Sequence, residues 1–169
     1  MQSNSMKIVT PKNKTVFMKA SGDLILHPDF IQQIVKKSQN NHVVICVGGG
    51  GQINRTFAEL GTGEDKEKHG PLGRELKTLI QKNIAKEILE NNQTQLEAIL
   101  QAGNIDATVL IPVLDIDGVM CHINGDQMIR AVYIGFDALY VFTTNERLEK
   151  KSREFEDLPK VEVIGLEKE

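Results

Sequence analysis

The stretch Val43-Val44-Ile45-Cys46-Val47-Gly48-Gly49-Gly50-Gly51-Gln52 decides the fold class. Five apolar residues in succession read as a strand covered on both faces, since a half-buried strand would alternate. Four glycines then lead the chain out, and a helical pattern opens near Gln52. Residues without side chains let a ligand or another backbone come close. The helix behind them presents unpaired N–H groups and a partial positive charge, which suits an anion such as phosphate. The competing account is a tight turn with close strand–helix packing, for which two glycines are enough. The run is no dinucleotide fingerprint, because the third glycine would fall at Ile53 or Asn54. It is no Walker loop either, since no Lys-Ser or Lys-Thr follows.

Outward from this run, strands alternate with helices. Towards the N-terminus, Thr15 to Ala20 alternates as a strand, and Pro28 opens a helix carrying Phe30, Ile31, Ile34 and Val35. In the other direction the spacing predicts a helix from Gln52 to Leu60, closed by Gly61, and a polar loop through Gly70. Pro71 then opens a long amphipathic helix with Leu72, Leu76, Leu79, Ile80, Ile84, Ile88 and Leu89. Thr94 is expected to cap a further helix ending at Gly103. Strands follow at Ala107 to Val113 and Val119 to Ile123, with Asp117-Gly118 as the turn between them. Asn124 caps a helix from Gly125 to about Ile134. Ala138 to Thr143 is a strand, a charged helix runs from Asn145 to about Phe155, and Val161 to Ile164 is the last strand. This order indicates an α/β fold, a mainly parallel sheet covered by helices on both faces. We read residues 1–169 as one domain. Ligands collect beyond the carboxyl ends of such strands, so the turns at Ser21, Gly48, Pro112 and Thr144 belong together.

Composition narrows the partners. The 169 residues are 40% hydrophobic and 25% charged, with a net charge of −3, and Lys and Arg are scattered. Neither a nucleic-acid surface nor a base-stacking platform is expected. No apolar run approaches the roughly 20 residues that span a bilayer. The polar start, Met1 to Lys7, lacks the apolar core of a signal peptide, and two cysteines fit a reducing compartment, so a cytoplasmic protein is expected. No Cys or His spacing supports a metal site. Cys121 and His122 point to opposite faces of a strand, and Asp115 and Asp117 read as turn chemistry or as a metal pair.

Two further turns carry candidate chemistry. Lys19-Ala20-Ser21-Gly22-Asp23 ends the first strand, where Lys19 is either a snorkelling surface residue or a pocket cation. Ile123-Asn124-Gly125-Asp126 is either a helix cap with a dipole-complementing acid, or a carboxylate that orients cationic groups or magnesium. Phosphoryl transfer is mostly positioning and charge neutralisation, so a lysine and an oriented acid beside a glycine cradle are the parts to look for.

These segments carry a resemblance. Lys19-Ala20-Ser21-Gly22-Asp23-Leu24 resembles the first-strand motif of uridylate kinases, and Gly48 to Asn54 resembles the glycine loop of acetylglutamate kinases. Ile111-Pro112-Val113 and Ile123-Asn124-Gly125-Asp126 resemble that family's Ile-Pro-Val and Ile-Asn-Ala-Asp segments. Ala138 to Thr144 is similar to the strand before its nucleotide-binding loop. On four motifs in the correct order the chain is identified as a member of the amino acid kinase superfamily, which implies a three-layer α/β/α sandwich. The resemblance implies that Lys19 stabilises the transferring phosphoryl group and Asp126 organises the cations around it. Ser21, Gly22, Gly48, Gly49, Gly50 and Gly51 would form the cradle, and Thr143 and Thr144 would lie at the nucleotide. Asn124 and Arg55 would contact the substrate, although Arg55 is equally a solvated first-turn residue. Arg74 and Arg130 read as surface charges. ATP with magnesium is the expected cofactor set if the protein is catalytic, an anionic metabolite the expected partner, and a homo-oligomer the expected assembly. The acceptor would be a nucleotide monophosphate or a small carboxylate.

The family's pattern departs after Thr144, where Asn145-Glu146-Arg147 replaces Asp-Val-Asp-Gly-Val-Tyr. Its Gly-Gly-Met-x-x-Lys segment, which supplies a second cation, is absent. Three alternatives follow: a donor site built differently, one completed by another subunit, or a binding or regulatory module without transfer.

Overall fold

A computed structural model describes residues 13–61, 69–70 and 72–168. In chain order the elements are β1 (Lys14–Ala20), α1 (Pro28–Ser38), β2 (Asn41–Val47), α2 (Gly50–Leu60), β3 (His69–Gly70) and β4 (Gly73–Arg74). Then come α3 (Leu79–Ala102), β5 (Ala107–Leu110), β6 (Val113–Ile116), β7 (Val119–His122), α4 (Gly125–Val132), β8 (Ala138–Thr144), α5 (Asn145–Glu154) and β9 (Val161–Leu166). Five strands form one parallel sheet in the order β5-β2-β1-β8-β9.

The alternation along β1 explains the layers. Val16, Met18 and Ala20 face one side and join Val43, Ile45 and Val47 of β2 against Phe30 and Ile34 of α1 and Leu96 and Leu100 of α3. Phe17 faces the other side with Cys46, Leu139 and Val141, under Met128 and Ile129 of α4 and Phe155 at the end of α5. The sheet is thus sandwiched between helical layers, as the apolar strands require. From β1 the chain builds outward to β2 and β5, then returns to place β8 and β9 on the other flank. The order therefore reverses between β1 and β8, and the carboxyl ends there form the crevice where α/β proteins hold ligands.

Three sequence expectations need correction. The long helix does not start at Pro71, a residue outside the described set. It starts at Leu79, where Thr78 and Gln81 form a reciprocal capping box. Leu76 lies before it and packs from outside the helix against Ile53, Phe57, Ala85 and Leu89. Thr94 caps nothing, because α3 runs unbroken to Ala102 and an exposed Thr is tolerated in a helix. The strand expected at Ala107 to Val113 stops at Leu110. Pro112 interrupts the ladder, and Val113 starts a separate hairpin of β6 and β7. Its turn is Asp117-Gly118, with φ of 51° and 80°, the left-handed pair that a two-residue hairpin favours. The expected loop at Lys66-Glu67-Lys68 lies outside the described residues.

Candidate functional site

The glycine run divides its labour. Gly48 N–H donates to Ala20 O at 2.8 Å, locking the end of β2 to the end of β1. A Cβ on Gly48 would stand 2.9 Å from Ala20 O, and one on Gly22 would stand 2.8 Å from Gly48 O. These two glycines let the turns after β1 and β2 interlock. Gly49 packs close to Leu89, and Gly51 lies close to the Asp23 carboxylate, whereas a Cβ on Gly50 would meet nothing within 4 Å. Close packing and open cradle are thus both present, in different glycines. Beneath the run, Asn92 of α3 donates from Nδ2 to Gly48 O at 2.8 Å and to Gln52 Oε1 at 2.7 Å, and Gln52 Nε2 donates back to Asn92 Oδ1 at 3.0 Å.

Lys19 ends on the α4–α5 face of the sheet, 7% exposed. Its Nζ reaches Asp126 Oδ1 at 3.1 Å. Gly125 makes the passage possible, because a Cβ there would meet Lys19 Cε at 2.9 Å. The other carboxylate oxygen of Asp126 accepts from Lys151 Nζ at 2.5 Å, and Lys151 also reaches Glu154 Oε2 at 2.5 Å. Two ammonium groups therefore share one carboxylate. Burial acts to raise the Asp126 pKa, but the two ammoniums outweigh it and hold the carboxyl below its ordinary value. Burial likewise opposes the charge on Lys151, yet its bonds to Asp126 and Glu154 leave its pKa raised. No motif in the sequence singles out Lys151. A signal exists all the same: Leu148, Lys151 and Phe155 recur at helical spacing on the inward side of α5.

Lys19, Asp126, Lys151 and the turns at Ser21, Gly22 and Gly48 to Gly51 line one cavity of about 730 Å³. At its far end Ile53, Leu76, Ala85 and Leu89 make an apolar floor. Arg74 lies above it, bonded to Asn54 Oδ1 and stacked 5.5 Å over the Phe57 ring. Burial lowers its pKa. Arg74 is thus a wall of the cavity, not the plain surface charge expected. Asn124 lines the same end and caps α4, its Oδ1 accepting from Asp126 N at 2.9 Å. Gly73, at φ 114°, lets β4 come against Asn124, because a Cβ there would stand 2.7 Å from Asn124 Cβ.

Other expected site residues fall elsewhere. Arg55 is exposed and pairs with Asp23 at 3.6 Å, which is the solvated first-turn alternative. Arg130 borders the cavity but is held by Asp157 at 2.9 Å. Thr143 and Thr144 end β8 as buried residues away from the cavity lining, and neither hydroxyl has a hydrogen-bond partner among the described residues. Asp115 serves the hairpin turn, accepting from Gly118 N at 2.8 Å. Among the described residues no group of three His, Cys, Asp or Glu side chains is placed to hold a metal ion.

A solved structure of N-acetylglutamate synthase from Neisseria gonorrhoeae, in complex with coenzyme A and N-acetyl-glutamate, matches this fold with a TM-score of 0.61 at 11% identity. The match covers 79% of this chain and 42% of that one, so the chain spans less than half the length of that protein. The likeness is one of fold. Pantothenate synthetase from Thermus thermophilus matches with a TM-score of 0.43 at 18% identity, over 94% of this chain and 57% of that one. No protein-family model and no curated protein matches the sequence. Among the described residues no helix is long and apolar enough to cross a membrane.

Proposed function

We propose that the protein is an amino acid kinase-like phosphotransferase that moves the terminal phosphoryl group of ATP onto an anionic oxygen of a small metabolite. The observation that carries this reading is the pair of buried ammoniums, Lys19 and Lys151, held on the single carboxylate of Asp126 beside the glycine turn. Transfer of a phosphoryl group spreads negative charge over its oxygens, and fixed cations in a partly dry site stabilise that charge most effectively. Lys19 and Lys151 are the catalytic groups. Asp126 is a positioning residue, since each of its oxygens already faces an ammonium.

In the step, an acceptor oxygen forms a bond to the terminal phosphorus while the bond from phosphorus to the bridging oxygen breaks. The electron pair leaves with the diphosphate. A carboxylate or phosphate acceptor is already ionised, so no general base is needed. The apolar floor with Arg74 suits the body and anionic group of such an acceptor. The residues present do not fit a resident magnesium site: Asp126 is saturated by lysines, and the described carboxylates do not converge elsewhere. No step here runs through that ion.

ADP release, followed with a panel of nucleoside monophosphates and small carboxylates, tests the proposal. Lys19→Ala is expected to lower turnover by about 10²-fold or more, the cost of removing one preorganised charge-stabilising group. The second reading, a binding module, draws on the neighbour of the same fold, an N-acetylglutamate synthase whose structure holds N-acetyl-glutamate, an anionic metabolite. If calorimetry shows the metabolite binding but no ATP binding and no ADP release, that reading replaces the first.

A further inference from the structure

We infer that the α5 side of the cavity is a binding site for a polyphosphate chain, which it grips by charge with no selection of the nucleoside attached. The inference deepens the proposed function and rests on it for the fate of the bound chain. Arg147, Lys150, Lys151 and Glu154 all line the cavity from α5. Their spacing of three, four and seven residues is a single stripe of the helix. Lys151 and Glu154 are committed to the Asp126 cluster. Arg147 has no hydrogen bond or ion pair among the described residues. Lys150 has one contact, at 4.0 Å, with the same Glu154 that Lys151 already engages.

A solvated helix face is the ordinary account of such residues. Here the unpaired or weakly paired cations of α5, Arg147 and Lys150, lie on the cavity stripe, while Arg153 off the stripe pairs with Glu149. The two ends of the cavity also differ in kind. The Arg74 end has an apolar floor for an organic body, whereas the described α5 lining is charged apart from Phe155, which is buried in the core. Four residues, about 6 Å of helix rise, separate Arg147 from Lys151. A chain whose terminal phosphate meets Lys19 and Lys151 therefore runs past Lys150 to the exposed Arg147. Cations in this arrangement read phosphate oxygens and give a base nothing to bind.

Calorimetric titration with ATP, GTP and inorganic tripolyphosphate, each with and without magnesium, provides the test. The expected result is dissociation constants within a few-fold of one another and mutual competition. Arg147→Ala with Lys150→Ala should weaken all three by about tenfold or more, since charge-assisted bonds are lost, while Arg153→Ala, off the stripe, leaves them unchanged. Both residues of the double variant are exposed, and circular dichroism verifies its fold. Arg147→Glu is the second variant and should weaken binding further. Failure of tripolyphosphate to displace bound ATP, or undiminished binding by the folded double variant, overturns the inference. Tight tripolyphosphate binding without any phosphoryl transfer by the unaltered protein overturns the proposed function and leaves this site standing.

Discussion

Asp126 illustrates how one side chain can bind a site together. Its carboxylate is the acceptor shared by Lys19 and Lys151, so Asp126→Asn removes the charge that holds two buried ammoniums near each other. Stripping the partner from buried charges is costly, and the variant is expected to lose about 3 kcal/mol of stability, read from urea unfolding. A midpoint unchanged from the parent protein would show that the cluster is better hydrated than its burial indicates. The hydroxyls of Thr143 and Thr144 pose the opposite case, since both are buried without partners among the described residues. Thr143→Val keeps the shape and removes an unsatisfied group, so it should be neutral or stabilising by about 1 kcal/mol. If instead it weakens ATP binding without altering stability, Thr143 touches the nucleotide, as the resemblance implied.

Helix α3 shows what pattern alone can and cannot reveal. Ala85, Leu89, Asn92 and Leu96 form its inward stripe, and Asn92 is the polar member, 1% exposed. It bonds the carbonyl of Gly48 and the amide of Gln52, fastening the glycine turn to a helix distant in sequence. Asn92→Leu should cost roughly 1–3 kcal/mol, because Gly48 O and Gln52 are left unpaired in the interior, and differential scanning calorimetry would measure it. No loss would mean that water replaces the amide. Most strands were legible, since runs such as Val43 to Val47 require cover on both faces. So were the caps at Asn124 and Gly61 and the turn at Asp117-Gly118, because their chemistry is local. The start of α3 was not legible from its apolar residues: Leu72 and Leu76 keep helical spacing outside the helix, and only the Thr78–Gln81 box marks the true start. Lys19 and Asp126 stood out by their motifs. Lys151 and Arg74 did not, since their importance comes from α5 and β4 arriving at the same crevice, a long-range fact.

That crevice concentrates titratable groups, and its chemistry combines with a tie at the amino-terminal ends of the central strands to shape how the protein responds to pH. Asp137 accepts from both Thr15 N and Thr15 Oγ1 at 2.8 Å, joining the start of β1 to the approach of β8. Those bonds hold its pKa below the ordinary 3.8. The Arg130 bond does the same for Asp157, and the paired lysines do so for Asp126 against the opposing effect of burial. A depressed carboxylate stabilises the fold above its unfolded pKa, and that contribution disappears as pH falls through the folded value. Burial, aided by the charges of Lys82 and Lys86, also lowers His122 from 6.5, so the fold prefers the neutral ring and begins to lose stability as pH drops below 6.5. Lys151 works at the other end of the scale. Its raised pKa gives stability that is complete below 10.5 and lost as pH climbs through the folded value. The thermal midpoint should therefore hold a plateau from about pH 6.5 to about pH 9, with a shallow decline beneath 6.5 and a steep one beneath 3.8; on the alkaline side it falls from 9.0, where the unfolded chain ionises Cys46 while burial holds the folded thiol up at about 12. His122→Gln should erase the shallow decline and leave the steep one. A variant that keeps the shallow limb would assign it to another group, and a midpoint that stays flat below the carboxylate range would mean that the depressed carboxylates keep their pKa values in the unfolded chain as well.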